Sequence, residues 1–323
     1  MPQPDTFLSL LKAKAGYISG QALAKKAGIS RSAVWKQIKL LRRYGYAIES
    51  RHGLGYRLAG QTDVPVPWEL KKVLRTSFVG NRVVYRETAD STQNIAISLA
   101  GRPESHGSVV IAEQQKSGRG RQKRRWLSPV GGIWISVVLK PSIPTNKITL
   151  LPFAAALAVC DAIKTTGLGA QLKWPNDVMI SGKKVAGILL DVSAEADQAN
   201  YVVIGIGINA NIDSVAISAR LEGIKITSIS DELGHSISRL DLTKSLLENL
   251  ERYYLEMEHH GTSVILQKWK ENSDMLGRKV TVVQNGKTIQ GVAADINDDG
   301  SLRLKIDHGG DINIVSGDIH ARY

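Results

Sequence analysis

The 323-residue sequence predicts a multidomain α/β (α+β) protein in three parts. Three observations carry that expectation. A helix-turn-helix pattern followed by a hairpin fills the first sixty residues. Apolar, β-branched runs alternate with helical segments from about 67 to 272. Short strands separated by tight turns close the chain. The expected domains are 1–64, 65–272 and 273–323. Apolar residues make up 43% and charged residues 22%, which excludes a disordered chain and fits several real cores.

In the first part, Phe7–Leu11 gives a short amphipathic helix, and Gly20–Ala27 a second with Leu23, Ala24 and Ala27 inward. Gly28 suits a left-handed cap. Ser30 is a good N-cap for a third helix reaching about Tyr44, with Ile29 and Val34 spaced as a hydrophobic staple. Val34, Ile38 and Leu41 form its buried stripe, which leaves Arg31, Ser32, Trp35, Lys36 and Lys39 outside. Ala47–Ser50 and Tyr56–Leu58 are strands around Gly53-Leu54-Gly55. This is the pattern of a winged helix-turn-helix, with the two-helix motif over about 20–39. Up to Val64, eleven Lys and Arg stand against three acids, an excess of +8 within a net charge of +12. Such a block points to a polyanion. DNA is the expected partner, with the third helix, the second of the motif, in the major groove and Arg51, His52 and Arg57 of the wing on phosphates; a winged helix used for protein contacts is the other reading. Val64-Pro65-Val66-Pro67 is the expected linker.

The middle part begins with a strand at Asn81–Glu87, followed by Asp90-Ser91-Thr92-Gln93 before the apolar-periodic Ile95–Leu99. Those hydroxyls either serve an oxygen-rich ligand at a helix start or simply cap the helix. The strand Ser108–Glu113 delivers Gln114, Gln115 and then Gly118–Trp126, where five cations and two glycines lie within nine residues. A basic run can be a solvated face or a nucleic-acid patch; with two glycines it can also be a mobile loop that clamps phosphate. A dinucleotide fingerprint would need Gly at Lys123, and a P-loop ending at Gly286 would need Gly at Thr281. Gly132–Leu139 is a strand and Leu150–Ile163 a buried helix. Leu172–Asp177 looks like a site wall. Val178–Ile180 and Lys184–Leu190 form a hairpin, and alternation would put Lys184 and Ala186 on one face. Lys184 lies either at an exposed strand end or in a pocket meeting an anion. Tyr201–Asn209 carries Gly205 and Gly207, which suggest a flat floor.

In the last part, Lys279–Val283, Thr288–Ala294, Leu302–Ile306 and Asp311–Val315 are strands of a small barrel, turned at Asn285-Gly286, Asp298–Gly300 and His308–Gly310. No apolar run approaches the roughly 20 residues that span a bilayer, and no signal peptide is evident. The single Cys160 fits a reducing cytoplasm, where a buried thiol is expected. No metal-ligand spacing is present.

Asp90-Ser91-Thr92, Gln115, Gly118–Trp126, Lys173–Asp177, Lys184-x-x-Gly187-Ile188-Leu189 and Gly205-x-Gly207-Ile208-Asn209 occur in this order. Together they resemble the biotin protein ligase family. With the winged helix in front, the chain is similar to the bifunctional bacterial form that also represses the biotin operon. The resemblance covers nearly the whole chain. It implies a class II synthetase-like central mixed β-sheet with helices and an SH3-like C-terminal β-barrel that helps close the ATP site. It implies biotin contacts from Ser91, Thr92, Gln93, Gln115, Arg119, Gly120, Arg121 and Lys184, over a floor shaped by Gly187, Gly205 and Gly207. It places the nucleotide near Arg119, Arg121, Trp126, Asn176, Lys184 and Asn209, with Lys184, Arg121 and Arg119 as the catalytic cations.

The resemblance further implies biotin, ATP with Mg²⁺, biotinyl-5′-AMP as co-repressor, a carrier protein of acetyl-CoA carboxylase or a related carboxylase as acceptor, and a homodimer on operator DNA. Two positions depart from the family pattern. Gln93 stands where many members have Asn, and Lys123 where many have Gly, which is expected to stiffen the loop and add a charge. A transcription factor with an inactive ligase domain, or a lipoate-type ligase, are the alternative functions.

Overall fold

The computed structural model describes residues 4–195, 198–219, 225–284, 287–306 and 309–321. The chain packs as two compact units, Met1–Lys72 and Val73–Tyr323. In the first lie α1 (Pro4–Lys12), α2 (Gly20–Ala27), α3 (Arg31–Arg43), β1 (Ala47–Arg51), β2 (Gly55–Gly60) and the start of α4 (Pro67–Val73). Gly28 ends α2 at φ 63°, and the amide of Ile29 reaches back to the Ala24 carbonyl at 3.0 Å. Ser30 caps α3 by accepting the Ala33 amide at 3.2 Å. Leu23, Val34, Ile38 and Leu41 meet Phe7 and Leu8 in one core.

The expected linker is buried rather than solvated. Val64 and Val66 are buried, and Trp68 packs edge-on against Tyr44. The Trp68 indole donates to the Tyr46 hydroxyl, which in turn donates to Glu69, each at 2.7 Å. The two valines that flank Pro65 are stabilised more by burial than by staying solvated, and the first compact unit runs on to Lys72, past the expected boundary at 64/65.

The second unit holds a seven-stranded mixed sheet. Its elements run β3 (Val83–Ala89), α5 (Thr92–Ala100), β4 (Val109–Gln115), β5 (Ile133–Leu139), α6 (Thr145–Ile148), α7 (Leu151–Lys164), β6 (Gln171–Lys173), β7 (Asp177–Ile180), β8 (Lys183–Glu195) and β9 (Gln198–Ile208). The spatial order is β3-β4-β5-β9-β8-β7-β6, with only β3 and β4 parallel. Short α8 (Ser214–Ser218) and α9 (Ile229–Leu233) lead to α10 (Arg239–His260), which packs along α7, and to α11 (Ser263–Glu271). Contrary to expectation, the 20-residue helical stretch Thr145–Lys164 is long and apolar enough to cross a membrane by length and composition. Here it is a core helix, buried from Leu151 to Ile163 on nearly every side.

β10 (Lys279–Gln284), β11 (Lys287–Ile296), β12 (Leu302–Lys305), β13 (Asp311–Ile314) and β14 (Asp318–Ala321) form an antiparallel sheet in the order β13-β12-β11-β10-β14. The expected turn residues Asn285, Gly286 and His308 lie outside the described residues. No packing break falls at 272/273, because Trp174 joins the two sheets. It borders a cleft, as expected of its stretch, and is at the same time a buried side chain whose indole donates to the Gly300 carbonyl at 2.8 Å. An indole this large is stabilised by burial once its N–H has a partner.

Candidate functional site

β3 and β4 run parallel with Ala89 opposite Gln115, which sets the Gln115 side chain beside the start of α5. Its Oε1 accepts both the amide and the hydroxyl of Thr92, at 2.8 and 3.0 Å, and its Nε2 donates to Ser128 at 2.8 Å. Gln115 therefore does the capping. Ser91, at the N-cap position, makes no side-chain cap bond; it is 1% exposed and its hydroxyl has no partner among the described residues. An unpartnered buried hydroxyl costs about 1–3 kcal/mol, which a ligand's polar atom would recover. The alternative of a plain cap is thereby removed. Gln93 differs: its Nε2 donates to the Val203 carbonyl at 2.9 Å and its Oε1 lies 2.8 Å from the Ser136 hydroxyl. Its amide is committed to the protein, and it borders the cleft as shape.

The floor consists of cross-strand rows. Gly207 on β9 faces Trp134 on one side and Gly187 on β8 on the other, and Gly187 faces Asp177. A Cβ on Gly207 would come within 2.6 Å of the Trp126 indole nitrogen, and one on Gly187 within 2.9 Å of the same ring. A Cβ on Gly205 would meet Gln93 Oε1 at 2.5 Å. These glycines are required for close approach. Alternation misplaces Lys184. Val178 pairs with Ala186 but Met179 pairs with Lys184, so Val185 is an extra residue and β8 bulges. The bulge brings Lys184 to the Gly187 side, where its Cε lies 3.3 Å from the Cβ that Gly187 lacks. Its Nζ lies 2.6 Å from Asp177 Oδ1 and 5.0 Å from the centre of the Trp126 ring. Lys184 thus enters the pocket rather than ending an exposed strand.

Gly118–Trp126 folds as a hairpin. Trp126 donates its amide to Gly118 and Gly120 to Arg124, at 2.9 and 2.8 Å, with Arg119 opposite Arg125. The tip closes with Arg124 donating to Arg121 at 3.0 Å across Gln122 and Lys123, whose φ values are 53° and 61°. Two consecutive left-handed residues are what Asn-Gly supplies best in a tight hairpin turn. A Lys backbone held there costs on the order of 1 kcal/mol, so Lys123 weakens the folded tip rather than stiffening it. Arg121 donates to Asn176 Oδ1 at 3.2 Å, and Asn176 donates to the Ile188 carbonyl at 2.6 Å. Asn209 donates its side-chain amide to the Thr227 carbonyl at 2.9 Å and borders the cleft.

The cleft so framed has a volume of about 1030 Å³, and every residue expected to touch ligand, from Ser91 to Asn209, borders it. Gly317 and Ile319 of the C-terminal sheet line it as well. Near its edge, burial alone would raise the Glu232 carboxyl; the Lys183 ammonium and the Thr227 hydroxyl outweigh it and hold the group below its ordinary value. Burial pushes the Cys160 thiol up to about 12, so it is no nucleophile.

Residues 85–209 match the model of the biotin/lipoate A/B protein ligase family, residues 275–321 that of the biotin protein ligase C terminal domain, and residues 5–57 that of an HTH domain. Over 300 residues the chain is 37% identical to the bifunctional ligase/repressor BirA of Bacillus spizizenii, with 92% of each covered. The chain belongs to the biotin protein ligase family. It is also 29% identical to the bifunctional ligase/repressor BirA of Escherichia coli, covering 96% of this chain and 97% of that one. The biotin protein ligase of Aquifex aeolicus, solved in complex with biotin and ATP, superposes with a TM-score of 0.64 at 27% identity, over 75% of this chain and 99% of that one.

Within this family member the sequence reading missed Ser136, Asp177 as the partner of Lys184, and the side chains that hold Arg119. A lone Ser inside the apolar strand Ile133–Leu139 was the available signal for the first. Of the residues expected to contact DNA, Arg31, Ser32, Lys36, Lys39 and Arg51 are exposed, and Trp35 is 55% exposed with the Lys39 ammonium 5.3 Å above its ring. Arg57 is less available than expected. It lies opposite Glu49 in the wing and pairs with it at 2.8 Å, while the Tyr17 hydroxyl donates to the same carboxylate at 2.7 Å.

Proposed function

We propose that the protein is a biotin–[acetyl-CoA-carboxylase] ligase and a biotin-responsive repressor. In the first step a biotin carboxylate oxygen attacks the α-phosphate of ATP, pyrophosphate leaves, and biotinyl-5′-AMP forms. In the second, the amine of a carrier-protein lysine attacks the acyl carbon and AMP leaves. Negative charge grows on phosphate oxygens in the first step, and preorganised cations are what lower that barrier. Lys184 and Arg121 are the stabilising groups and Arg119 holds the adenylate.

The observation that carries this reading is the meeting of the Lys184–Asp177 pair, the Trp126 ring and the Gly187–Gly207 floor in one cleft. The Lys184 ammonium is ion-paired with the Asp177 carboxylate, and it has donors to offer a reacting oxygen. The unpartnered Ser91 hydroxyl, with Thr92 and Gln115, suits the polar ring of biotin, and Trp126 and Asn209 lie where the adenylate would rest. Mg²⁺ would accompany ATP and supply charge neutralisation at its phosphates.

Incubation with labelled biotin or lipoate, MgATP and a biotin carboxyl carrier domain tests the chemistry. Transfer of lipoate alone would favour the lipoate-type alternative, and no transfer of either would favour an inactive sensor. For repression, α3 and the wing of one copy read half of a palindromic operator and a homodimer reads the whole, with the adenylate as co-repressor, in the cytoplasm. Footprinting of a biotin operon with and without biotin plus ATP tests this; equal protection refutes it.

A further inference from the structure

We infer that Asn94 and Asp191 are positioning residues that latch the basic hairpin to the cleft through Arg119. The functional consequence rests on the ligase reading; the latch itself rests on geometry. Arg119 Nη1 donates to Asn94 Oδ1 at 2.8 Å, and Nη2 lies 3.4 Å from both carboxylate oxygens of Asp191. Asn94 stands in the first turn of α5, three residues after Ser91. Asp191 stands on β8, on the same side as Gly187 and Leu189 by strand alternation. One planar guanidinium therefore ties the arm of the hairpin to the helix start that meets the ligand and to the strand that supplies the floor.

The hairpin depends on such anchors. Its own backbone bonds are few, and Gln122 and Lys123 hold a turn that they disfavour. The Asp191 pair is screened, at 41% and 30% side-chain exposure, and contributes little alone. The bond to Asn94 is short and charge-assisted, so it carries more of the latch.

Two measurements on the full-length protein test this. The first is tryptic nicking at the hairpin's own cations, located by mass spectrometry without ligand. Asn94→Ala is expected to speed nicking by about fivefold to tenfold, Asp191→Asn by about twofold, and Asn94→Asp, which keeps an acceptor, by less than Asn94→Ala. The second is the dissociation rate of adenylate made from biotin and MgATP. Asn94→Ala is expected to speed release in the wild-type background and to add nothing in an Arg119→Ala background.

Unchanged nicking in both single variants overturns the latch whatever the chemistry. Additive losses of adenylate in the double variant overturn it too, because Asn94 would then act other than through Arg119. A wild-type protein that forms no adenylate overturns the ligase reading instead, and nicking still decides the latch.

Discussion

Five cations lie on α3, namely Arg31, Lys36, Lys39, Arg42 and Arg43, and five lie in Gly118–Trp126. The helix satisfies its backbone internally and buries Val34, Ile38 and Leu41, so Arg31, Lys36 and Lys39 are left exposed, while Arg42 donates to the Ile48 carbonyl of β1. The hairpin folds back at two left-handed residues and hands its guanidinium groups to Asn94, Asp191 and Asn176. The same number of cations thus yields an exposed basic face in one place and a closed basic hairpin beside the cleft in the other. Backbone periodicity decides between them.

The largest expected effect lies in the cleft. Lys184→Ala should lower adenylate formation by about 10²–10³-fold, with a smaller loss of biotin affinity, because the charge it meets develops in the transition state. Pre-steady-state formation of biotinyl-AMP beside equilibrium biotin binding separates the two; equal losses would reduce Lys184 to a binding group. Non-specific DNA affinity should not move. The converse is the combined Arg31→Ala, Lys36→Ala and Lys39→Ala variant. It should weaken binding to any duplex by roughly tenfold to hundredfold at moderate salt and flatten the log–log salt slope by about 0.9 for each phosphate left without its cation. Adenylate formation should be untouched, and a fall there would break the division of labour between the two basic segments.

Local chemistry was legible wherever one segment determines the outcome. Gly28 and Ser30 ended and started helices as their residue types require, and the glycines of β8 and β9 marked the floor. What escaped the sequence depends on partners far along the chain. Ser91 is freed from capping by Gln115, which arrives from β4. Lys184 changes face through one extra residue in β8, and any strict alternation is inverted by such a bulge. Trp174 is claimed by Gly300 from another sheet. The order of motifs pointed to residues that border one cleft; pairing register decided which of their side chains were free in it.

A smaller effect is expected at the tip of the hairpin. Lys123→Gly removes a Cβ from a left-handed position, worth on the order of 1 kcal/mol to the folded turn. If ordering of the hairpin limits release, the adenylate should dissociate about fivefold more slowly. Faster release would mean that the Lys123 charge, not its backbone, holds the ligand. DNA affinity in the absence of ligand should be unchanged, since the α3 face is built without the hairpin.

The smallest effect belongs to the wing. Glu49 occupies Arg57, so Glu49→Gln should free a cation and steepen the salt slope of non-specific binding by about 0.9 at most. The Tyr17 hydroxyl and the Arg57 guanidinium hold the Glu49 carboxyl below its ordinary value. A carboxyl lowered on folding contributes stability that is present above its unfolded pKa and is lost only as the pH falls through the folded one. The pair therefore persists through neutral and mildly acidic solution, and moving from about pH 8 to pH 6 should not reproduce the variant. Fluorescence anisotropy on a non-specific duplex across a salt series measures both. An unaltered slope in Glu49→Gln would show that Arg57, even when released, does not reach phosphate, and that the open basic face ends at α3 and Arg51.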